Sequence, residues 1–174
     1  MAGMTRTAAK AELVQALGAQ PVLCDVYDAA ALTTATSDFR PDLILHELTE
    51  LPDTVEELPV RRTDNPRIRI AGTRNLIAAA TAADCGRLFA QSVAWELPPC
   101  DGANAVRALE DAVLGFGGVV LRYGQSYGPG TFYPNVPPVG PPIIHIDAAA
   151  ERTIVALDRP TGILTITDNT ATSD

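Results

Sequence analysis

Short apolar runs alternate with helical patterns along most of this 174-residue chain, and that alternation restricts its fold more than any other feature. Strands separated by helices pair in parallel through right-handed crossovers. Runs that are apolar throughout are typical of strands covered on both faces. The sequence therefore predicts an α/β protein, a Rossmann-like three-layer sandwich around a mostly parallel sheet.

The pattern divides the chain into elements of predicted length. We expect helices over 8–17, 29–39, 69–83, 104–114 and 148–157, and strands over 21–26, 43–46, 87–92, 118–123, 143–146 and 163–166. The stretches 51–66 and 128–142 are rich in proline and polar residues, which favours loops. We interpret 1–168 as a single domain with a reduced substrate-binding segment at about 128–160, followed by a polar tail over 169–174.

Charge and hydropathy exclude several classes of partner. A net charge of −8 and a pI near 4.7 argue against nucleic acid, which requires a basic surface. The sequence holds no apolar stretch near the ~20 residues of a membrane span, and its start does not resemble a secretory signal. We therefore expect a cytoplasmic protein that binds neither nucleic acid nor membrane.

Cysteine and histidine are too widely spaced to indicate a metal site. Cys24, Cys85 and Cys100 match neither a disulfide framework nor a zinc pattern. His46 and His145 each lie in an apolar run without a ligand-type neighbour. No metal is expected.

Three segments in a fixed order resemble a known family. They are GTRNLIAAA at 72–80, VVLRYGQSYGPG at 119–130 and IHIDAAA at 144–150, with QSVAW at 91–95 between the first two. Together they resemble the NAD-dependent epimerase/dehydratase family, the extended and atypical short-chain dehydrogenases/reductases. The similarity extends from about residue 3 to residue 168.

This resemblance implies where a nicotinamide cofactor binds. Thr5 and Arg6 would end the family's second strand, where an arginine faces the adenosine ribose and favours NADP over NAD through the 2′-phosphate. A solvated arginine at a helix start is the alternative. The other implied cofactor-binding positions are Asp25 and Val26 beside the adenine, Leu48 and Thr49 under the cofactor, and Tyr123 and Gln125 beside the nicotinamide.

Ser92 corresponds to the family's catalytic serine or threonine. Its hydroxyl would hydrogen-bond a substrate carbonyl and stabilise the charge that develops there. The alternative is a serine at a strand end that satisfies local backbone groups.

The sequence departs from the family at its two chemical motifs. The glycine-rich turn that holds the cofactor pyrophosphate is not found, and Gly3 stands alone. Gly102 and Val106 occupy the positions of the Tyr-x-x-x-Lys pair, and neither can transfer a proton. Tyr127 and Glu96 are the remaining candidates for a proton donor, and a role in a solvent-exposed loop is the favoured alternative for both.

The chain matches the family from its second strand onward, and the family's first strand is central in the sheet. Without that strand the second and fourth strands would have unpaired edges, which cost about 1–3 kcal/mol for each buried group. We expect one of three outcomes: the two strands pair directly, a partner such as a second copy supplies pairing, or the sequence is incomplete.

Two functions remain open. One is an NAD(P)-binding oxidoreductase or isomerase that acts on a small carbonyl or sugar-nucleotide-type substrate. The other is a non-catalytic Rossmann-like fragment or degenerate paralogue that acts as an interaction scaffold.

Overall fold

The computed structural model describes residues 1–51, 64–140 and 142–168. Helices and strands alternate along the chain, as the sequence predicts. In order they are β1 (Ala2–Thr5), α1 (Ala8–Ala16), β2 (Gln20–Leu23), α2 (Ala29–Phe39), β3 (Ile44–His46), α3 (Asp64–Arg67), a π-helical turn (Ile68–Gly72), α4 (Thr73–Ala82), β4 (Leu88–Val93), α5 (Asp101–Phe116), β5 (Val119–Tyr123), β6 (Gln125–Tyr127), β7 (Ile143–His145), α6 (Ile146–Ala156) and β8 (Gly162–Ile166).

All strand pairs that the structure describes are parallel, but they form three separate sheets. β3, β4, β5 and β8 make a four-stranded sheet in that order, β1 pairs with β2, and β6 pairs with β7. Within the described part of the chain, β1 and β3 do not pair with each other. Direct closure of these two strands, one of the three expected outcomes, is therefore not what the chain adopts.

Helices cover both faces of the four-stranded sheet. On one face, Leu109 and Val113 of α5 pack on Leu88 and Val120. On the other face, α6 packs on a second cluster that includes Phe89. Strand residues thus alternate between two apolar cores, and the predicted α/β, Rossmann-like three-layer sandwich is confirmed.

A third core joins the two-stranded ladder to the main sheet. Leu32 of α2 and Leu76 of α4 are buried in it, and Met4, Val22 and Ile44 of three different strands pack against it. Because α2 and α4 lie under both ladders, they hold β1 beside β3 even though no backbone hydrogen bond joins these strands.

The helical segment before β4 begins earlier than predicted. Helix starts at Asp64 rather than at residue 69, and Pro66 lies in its first turn, where proline is tolerated. The prediction of a loop is therefore wrong for 64–66, while 52–63 fall outside the described residues. The helix continues through the π-helical turn into α4, and π-turns of this kind occur frequently at functional sites.

Other bounds differ by a few residues. α5 extends to Phe116 and ends at Gly117, whose φ of 88° provides a left-handed cap. β6 was not expected, because its sequence, QSY, is not an apolar run. Of the predicted polar tail, 169–174 lie outside the described residues.

In the ranges that the structure describes, no helix is long and apolar enough to cross a membrane.

Candidate functional site

The carboxyl ends of β1 to β5 lie along one edge, and most of the site residues implied by the sequence follow these strand ends. Parallel strands that are held side by side end on the same side, so residues far apart in sequence come together there. Thr5 and Arg6 follow β1, Asp25 and Val26 follow β2, Leu48 and Thr49 follow β3, and Ser92, Tyr123 and Gln125 lie at or after the ends of β4 and β5.

Arg6 is joined to Glu50 by two hydrogen bonds. Nη1 donates to Oε1 at 2.5 Å and Nη2 donates to Oε2 at 2.6 Å. Arg6 follows β1 and remains 46% exposed, whereas Glu50 follows β3 and is 6% exposed. The pair therefore connects the carboxyl ends of two strands that do not pair with each other. Thr5, immediately before it, accepts the N–H of Cys24 through its carbonyl.

Asp25 and Val26 organise the loop after β2. The Asp25 carboxylate accepts the N–H of Tyr27 at 2.9 Å and is otherwise exposed. Val26 is buried, and its carbonyl accepts a hydrogen bond from the side chain of Asn75 on α4. The guanidinium of Arg67 lies 4.1 Å from the centre of the Tyr27 ring, a cation–π contact. This loop presents a carboxylate and an aromatic ring at the expected adenosine end.

His46 fastens the loop after β3 to α4. Its Nδ1 accepts the N–H of Leu48 at 3.1 Å, so Nε2 carries the proton and donates to Oγ1 of Thr73 at 2.9 Å. Thr73 in turn donates to the carbonyl of Arg69. Burial, together with the charge of Arg69, lowers the pKa of His46 to about 4. His46 is therefore a neutral structural group at physiological pH.

Leu48 and Thr49 complete this loop. Leu48 packs against the core shared with β1 and β2, and Thr49 is exposed with its hydroxyl accepting the N–H of Leu51. Both thus lie in the loop after β3, and their expected place under the cofactor stays a prediction.

Glu47 is a candidate that the sequence analysis missed. It follows β3 directly, and its side chain reaches solvent although surrounding protein partly desolvates its carboxyl group. This desolvation raises the pKa of Glu47 to about 7. A carboxyl group that is half protonated near neutral pH can serve as an acid or a base.

Tyr123 lies close enough to Glu47 for their charges to interact. Burial, then the charge of Glu47, raises the pKa of Tyr123 to about 12, while the contact with Thr153 works in the opposite direction. The hydroxyl of Thr153 donates to the carbonyl of Ala149, so the Tyr123 hydroxyl donates to Thr153 at 2.5 Å. Tyr123 is a neutral phenol fixed against α6. Gln125 contributes its backbone N–H to the carbonyl of Pro142.

Ser92 belongs to a buried polar cluster under the sheet edge. Its hydroxyl donates to Oε1 of Glu110 at 2.5 Å, and Arg122 donates to both carboxylate oxygens at 2.9 and 2.5 Å. Burial works to raise the pKa of Glu110, but the hydrogen bonds from Arg122 and Ser92 outweigh it and hold this pKa below its usual range. The Ser92 proton is directed at a carboxylate rather than at the open edge.

A cleft of about 360 Å³ opens beside this cluster. Its walls come from the loop after β4, from α5 and from Arg122, and they include Trp95, Val106 and Arg107. Val106 thus lies in the wall at the position where the family resemblance places a catalytic lysine. The cleft is within the usual size range of small-molecule sites, and its wall combines apolar side chains with two guanidinium groups and the carboxylates of Glu96 and Glu110.

The structure separates some residues that the sequence had grouped. Ser92 is in register with Arg122 on β5, so both face α5, whereas Tyr123 faces α6. Ser92 and Tyr123 therefore lie on opposite faces of the sheet. Glu50 and Glu47 had no signal beyond being polar residues after a strand.

A dinucleotide fits this edge only in part. Groups suited to an adenosine end and a nicotinamide end are present, but no glycine-rich turn is found among the described residues to hold two phosphates. Nor does any group of three metal-ligating side chains occur in residues 1–51, 64–140 and 142–168.

Comparison with known proteins identifies a curated relative in sequence and solved structures with a similar fold. No protein-family model matches the chain. A curated 3-diazoavenalumate denitrifying reductase from a Streptomyces species is 30% identical over 189 aligned positions, covering 85% of this chain and 62% of the relative. The chain thus spans about three fifths of the length of this relative.

Two solved structures show the same fold. The UDP-glucose 4-epimerase of Thermus thermophilus in complex with NAD matches with a TM-score of 0.68 and 19% identity, over 86% of this chain and 64% of that one. A dTDP-glucose 4,6-dehydratase double mutant from Streptomyces venezuelae with NAD bound matches with a TM-score of 0.70 and 17% identity, over 92% and 62%. The chain therefore shares its Rossmann-like fold with this NAD-binding epimerase and this NAD-binding dehydratase, which is the fold that its sequence resemblance implied.

Proposed function

We propose that this chain forms the core of a nicotinamide-dependent reductase that acts on a small carbonyl-type substrate. The observation that carries the proposal is the cleft beside Ser92, because it lies at the carboxyl ends of β4 and β5, next to the edge suited to the cofactor. The fold neighbours contain NAD, and the curated relative is named a reductase.

Each end of the cofactor has candidate partners. Arg6 and Asp25 would bind the adenosine end, with Val26 and Thr5 shaping the loop, and Tyr123 and Gln125 would lie beside the nicotinamide. NADP is proposed over NAD because the Arg6 guanidinium is 46% exposed and already oriented by Glu50. When bound, the cofactor supplies hydride.

Ser92 and Glu47 are the proposed chemical groups of the protein. Ser92 would polarise the substrate after its hydroxyl turns from Glu110 toward the cleft. The Glu110 carboxylate would stay paired, because Arg122 also donates hydrogen bonds to it. Glu47 is the proposed proton donor on the Tyr123 side of the carboxyl edge, outside the wall of the cleft, because its pKa of about 7 keeps part of it protonated at neutral pH.

The cleft also limits the substrate. The indole of Trp95 and the guanidinium of Arg107 line it together with Arg122. Trp95 suits a flat molecule, and Arg107 would bind an anionic substituent, since guanidinium groups bind carboxylates and phosphates. Arg122 is already paired with Glu110, and Glu96 adds a carboxylate to the wall.

Titration with NADPH and NADH tests the proposal. Trp95 is the chain's single tryptophan and lines the cleft, so a bound reduced nicotinamide should quench its emission. We expect saturable quenching that is stronger for NADPH and reduced in Arg6→Ala. A flat titration of folded protein would favour the second candidate, a non-catalytic scaffold, which is supported by Gly102 and Val106 at the positions of the family's acid/base pair.

A further inference from the structure

We propose that Arg69, in the π-helical turn before α4, binds a small oxyanion, a carboxylate or a phosphate group, through its buried guanidinium. The Arg69 side chain is 7% exposed. It lies outside the cleft described above, whose wall includes Glu110 but not Arg69. Oxyanion binding at this position does not require the reaction proposed above.

The guanidinium of Arg69 has no counter-ion within the part of the chain that the structure describes. The backbone carbonyl of Arg69 accepts the Thr73 hydroxyl, but none of the side-chain N–H groups donates to a described residue. Every fully buried side-chain nitrogen or oxygen in the described ranges has a hydrogen-bond partner. The unpartnered guanidinium nitrogens therefore lie where solvent reaches them, at the end of a side chain that is otherwise buried.

The backbone that carries Arg69 is held in place by its neighbours. His46 donates from Nε2 to Oγ1 of Thr73 at 2.9 Å, and Thr73 donates in turn to the carbonyl of Arg69. This chain of hydrogen bonds ties the π-helical turn to the end of β3. A group that is fixed before binding loses less conformational entropy when a ligand arrives.

Arg69 lies beside a row of polar side chains on the sheet face that α5 covers. His46 of β3 is in register with Ala90 of β4, which packs against α5. Ser92 follows two positions later on β4 and is in register with Arg122 of β5, so both lie on the same face. The π-helical turn also packs on α5, and the charge of Arg69 acts on His46. Arg69 therefore lies at the β3 end of this row, and Arg122 lies at its β5 end.

The polar groups of this row leave an excess of positive charge. Burial first, and then the charge of Arg69, lowers the pKa of His46 to about 4, so His46 is neutral near pH 7. Glu110 already accepts two hydrogen bonds from Arg122, at 2.9 and 2.5 Å. Two guanidinium groups thus share one carboxylate, and Arg122 holds it.

Glu47 does not serve as the counter-ion of Arg69. It follows His46 in the chain, and its charge acts on Tyr123, which packs on the face of α6. The carboxyl group of Glu47 therefore lies on the other side of the sheet.

An oxyanion would supply the charge that is missing at Arg69. Burial lowers the pKa of Arg69, and the charge of Glu110 offsets only part of this effect. A guanidinium nevertheless stays charged at neutral pH, and a buried charge without a partner is unfavourable. Its planar fork of donors matches the paired oxygens of a carboxylate or a phosphate. The ligand class at this position is therefore a small oxyanion.

NMR titration of the 174-residue protein tests the proposal. Sodium acetate and sodium phosphate would each replace sodium chloride at constant ionic strength and pH 7. We expect saturable shifts of the Arg69 Nε–H resonance and the His46 ring, with at least tenfold tighter binding than chloride for one of the two anions. His145, the second of the chain's two histidines, and the paired Arg122 should not shift. The tighter anion identifies the source as a carboxylate or a phosphate ligand.

Three variants separate binding by Arg69 from a general effect of salt. Arg69→Gln removes the charge and should abolish the saturable shift at His46. Arg69→Lys keeps the charge without the fork and should bind severalfold more weakly. Arg74→Gln is the matched control, because it removes the same charge from an exposed position one turn later in the helix and should bind as the parent does.

Two results would overturn the proposal. One is a shift at Arg69 that grows linearly with each salt, including chloride, in the parent protein, a readout that needs no variant to fold. The other is a saturable shift at His46 that persists in folded Arg69→Gln. None of these measurements contains a nucleotide, so failure of this site and failure of the proposed reductase can be distinguished.

Discussion

Arg6 and Glu50 form a two-bond ion pair between the end of β1 and the loop after β3, although these strands share no backbone hydrogen bond. The pair lies where the fold would bind the adenosine ribose. Under the proposed function it would orient a guanidinium for a 2′-phosphate, and it places a carboxylate beside that guanidinium. Cofactor preference would then depend on which of the two charges dominates.

Removing each partner should shift cofactor affinity in opposite directions. Arg6→Ala should weaken NADPH binding at least tenfold, and Glu50→Gln should strengthen it severalfold by removing a like charge near the phosphate. NADH should respond to neither change by more than about twofold, because it lacks that phosphate. Quenching of Trp95 emission measures the affinity of the parent and of the two variants for each cofactor. Equal effects on NADPH and NADH binding would contradict this assignment.

Glu47 should control the pH dependence of both rate and stability. If its protonated form donates to the substrate, reductive turnover falls as pH rises through about 7, and Glu47→Gln abolishes that step along with most of the activity. Because folding raises this pKa from its ordinary value of 4.5, stability decreases as pH rises from about 4.5 to 7. Glu47→Gln should remove this decrease in urea unfolding. An unchanged pH–rate profile would exclude the role.

His46 should destabilise the protein in acid. Folding lowers its pKa from 6.5 to about 4, so its neutral form contributes full stability above pH 6.5, and this contribution is lost as pH falls toward 4. The loss approaches roughly 3 kcal/mol from the size of this shift. His46→Gln in a Glu47→Gln background should flatten the profile over this range in urea unfolding. If stability fell equally steeply with falling pH in the Glu47→Gln variant and in the double variant, the assignment would be contradicted.

In the Ser92–Glu110–Arg122 cluster, removing one charge should lower the stability of the protein more than removing both charges. Glu110→Ala leaves Arg122 and Ser92 without their partner, and we expect a loss of about 2 kcal/mol, below the range for fully buried pairs because Arg122 is 39% exposed. The double variant Glu110→Leu with Arg122→Met should recover part of that loss. Chemical denaturation measures the stability of each variant. If the loss in the double variant equals the sum of the losses in the two single variants, the pair is not coupled.

The elements with local signals could be predicted from sequence. α2 occupies the predicted range because the Asp28 carboxylate caps its first turn and Arg40, with a φ of 52°, ends it. Strand alternation likewise predicted the parallel pairing. The helix beginning at Asp64 was missed because proline is typical of loops unless it lies in the first turn of a helix, as Pro66 does.

The chemistry of the site depended on contacts that sequence does not encode locally. Arg6 and Glu50 are separated by 44 residues, and no spacing rule connects them. Ser92 could be named from its motif, but its bond to Glu110 followed only from the packing of α5 against β4. Glu47 was not found because its environment is created by neighbouring strands.

The absence of buried residues in α1 has a consequence for how the molecule opens. The β1–α1–β2 unit is attached to the rest by one apolar core and one ion pair, so its opening should require less free energy than global unfolding. Hydrogen exchange in this unit would then be faster than in β4 and β5. A molecule that binds only the closed form of this unit would lose part of its binding free energy to closing the unit. Its binding at the carboxyl edge should therefore slow hydrogen exchange at the opposite end of β1 as well.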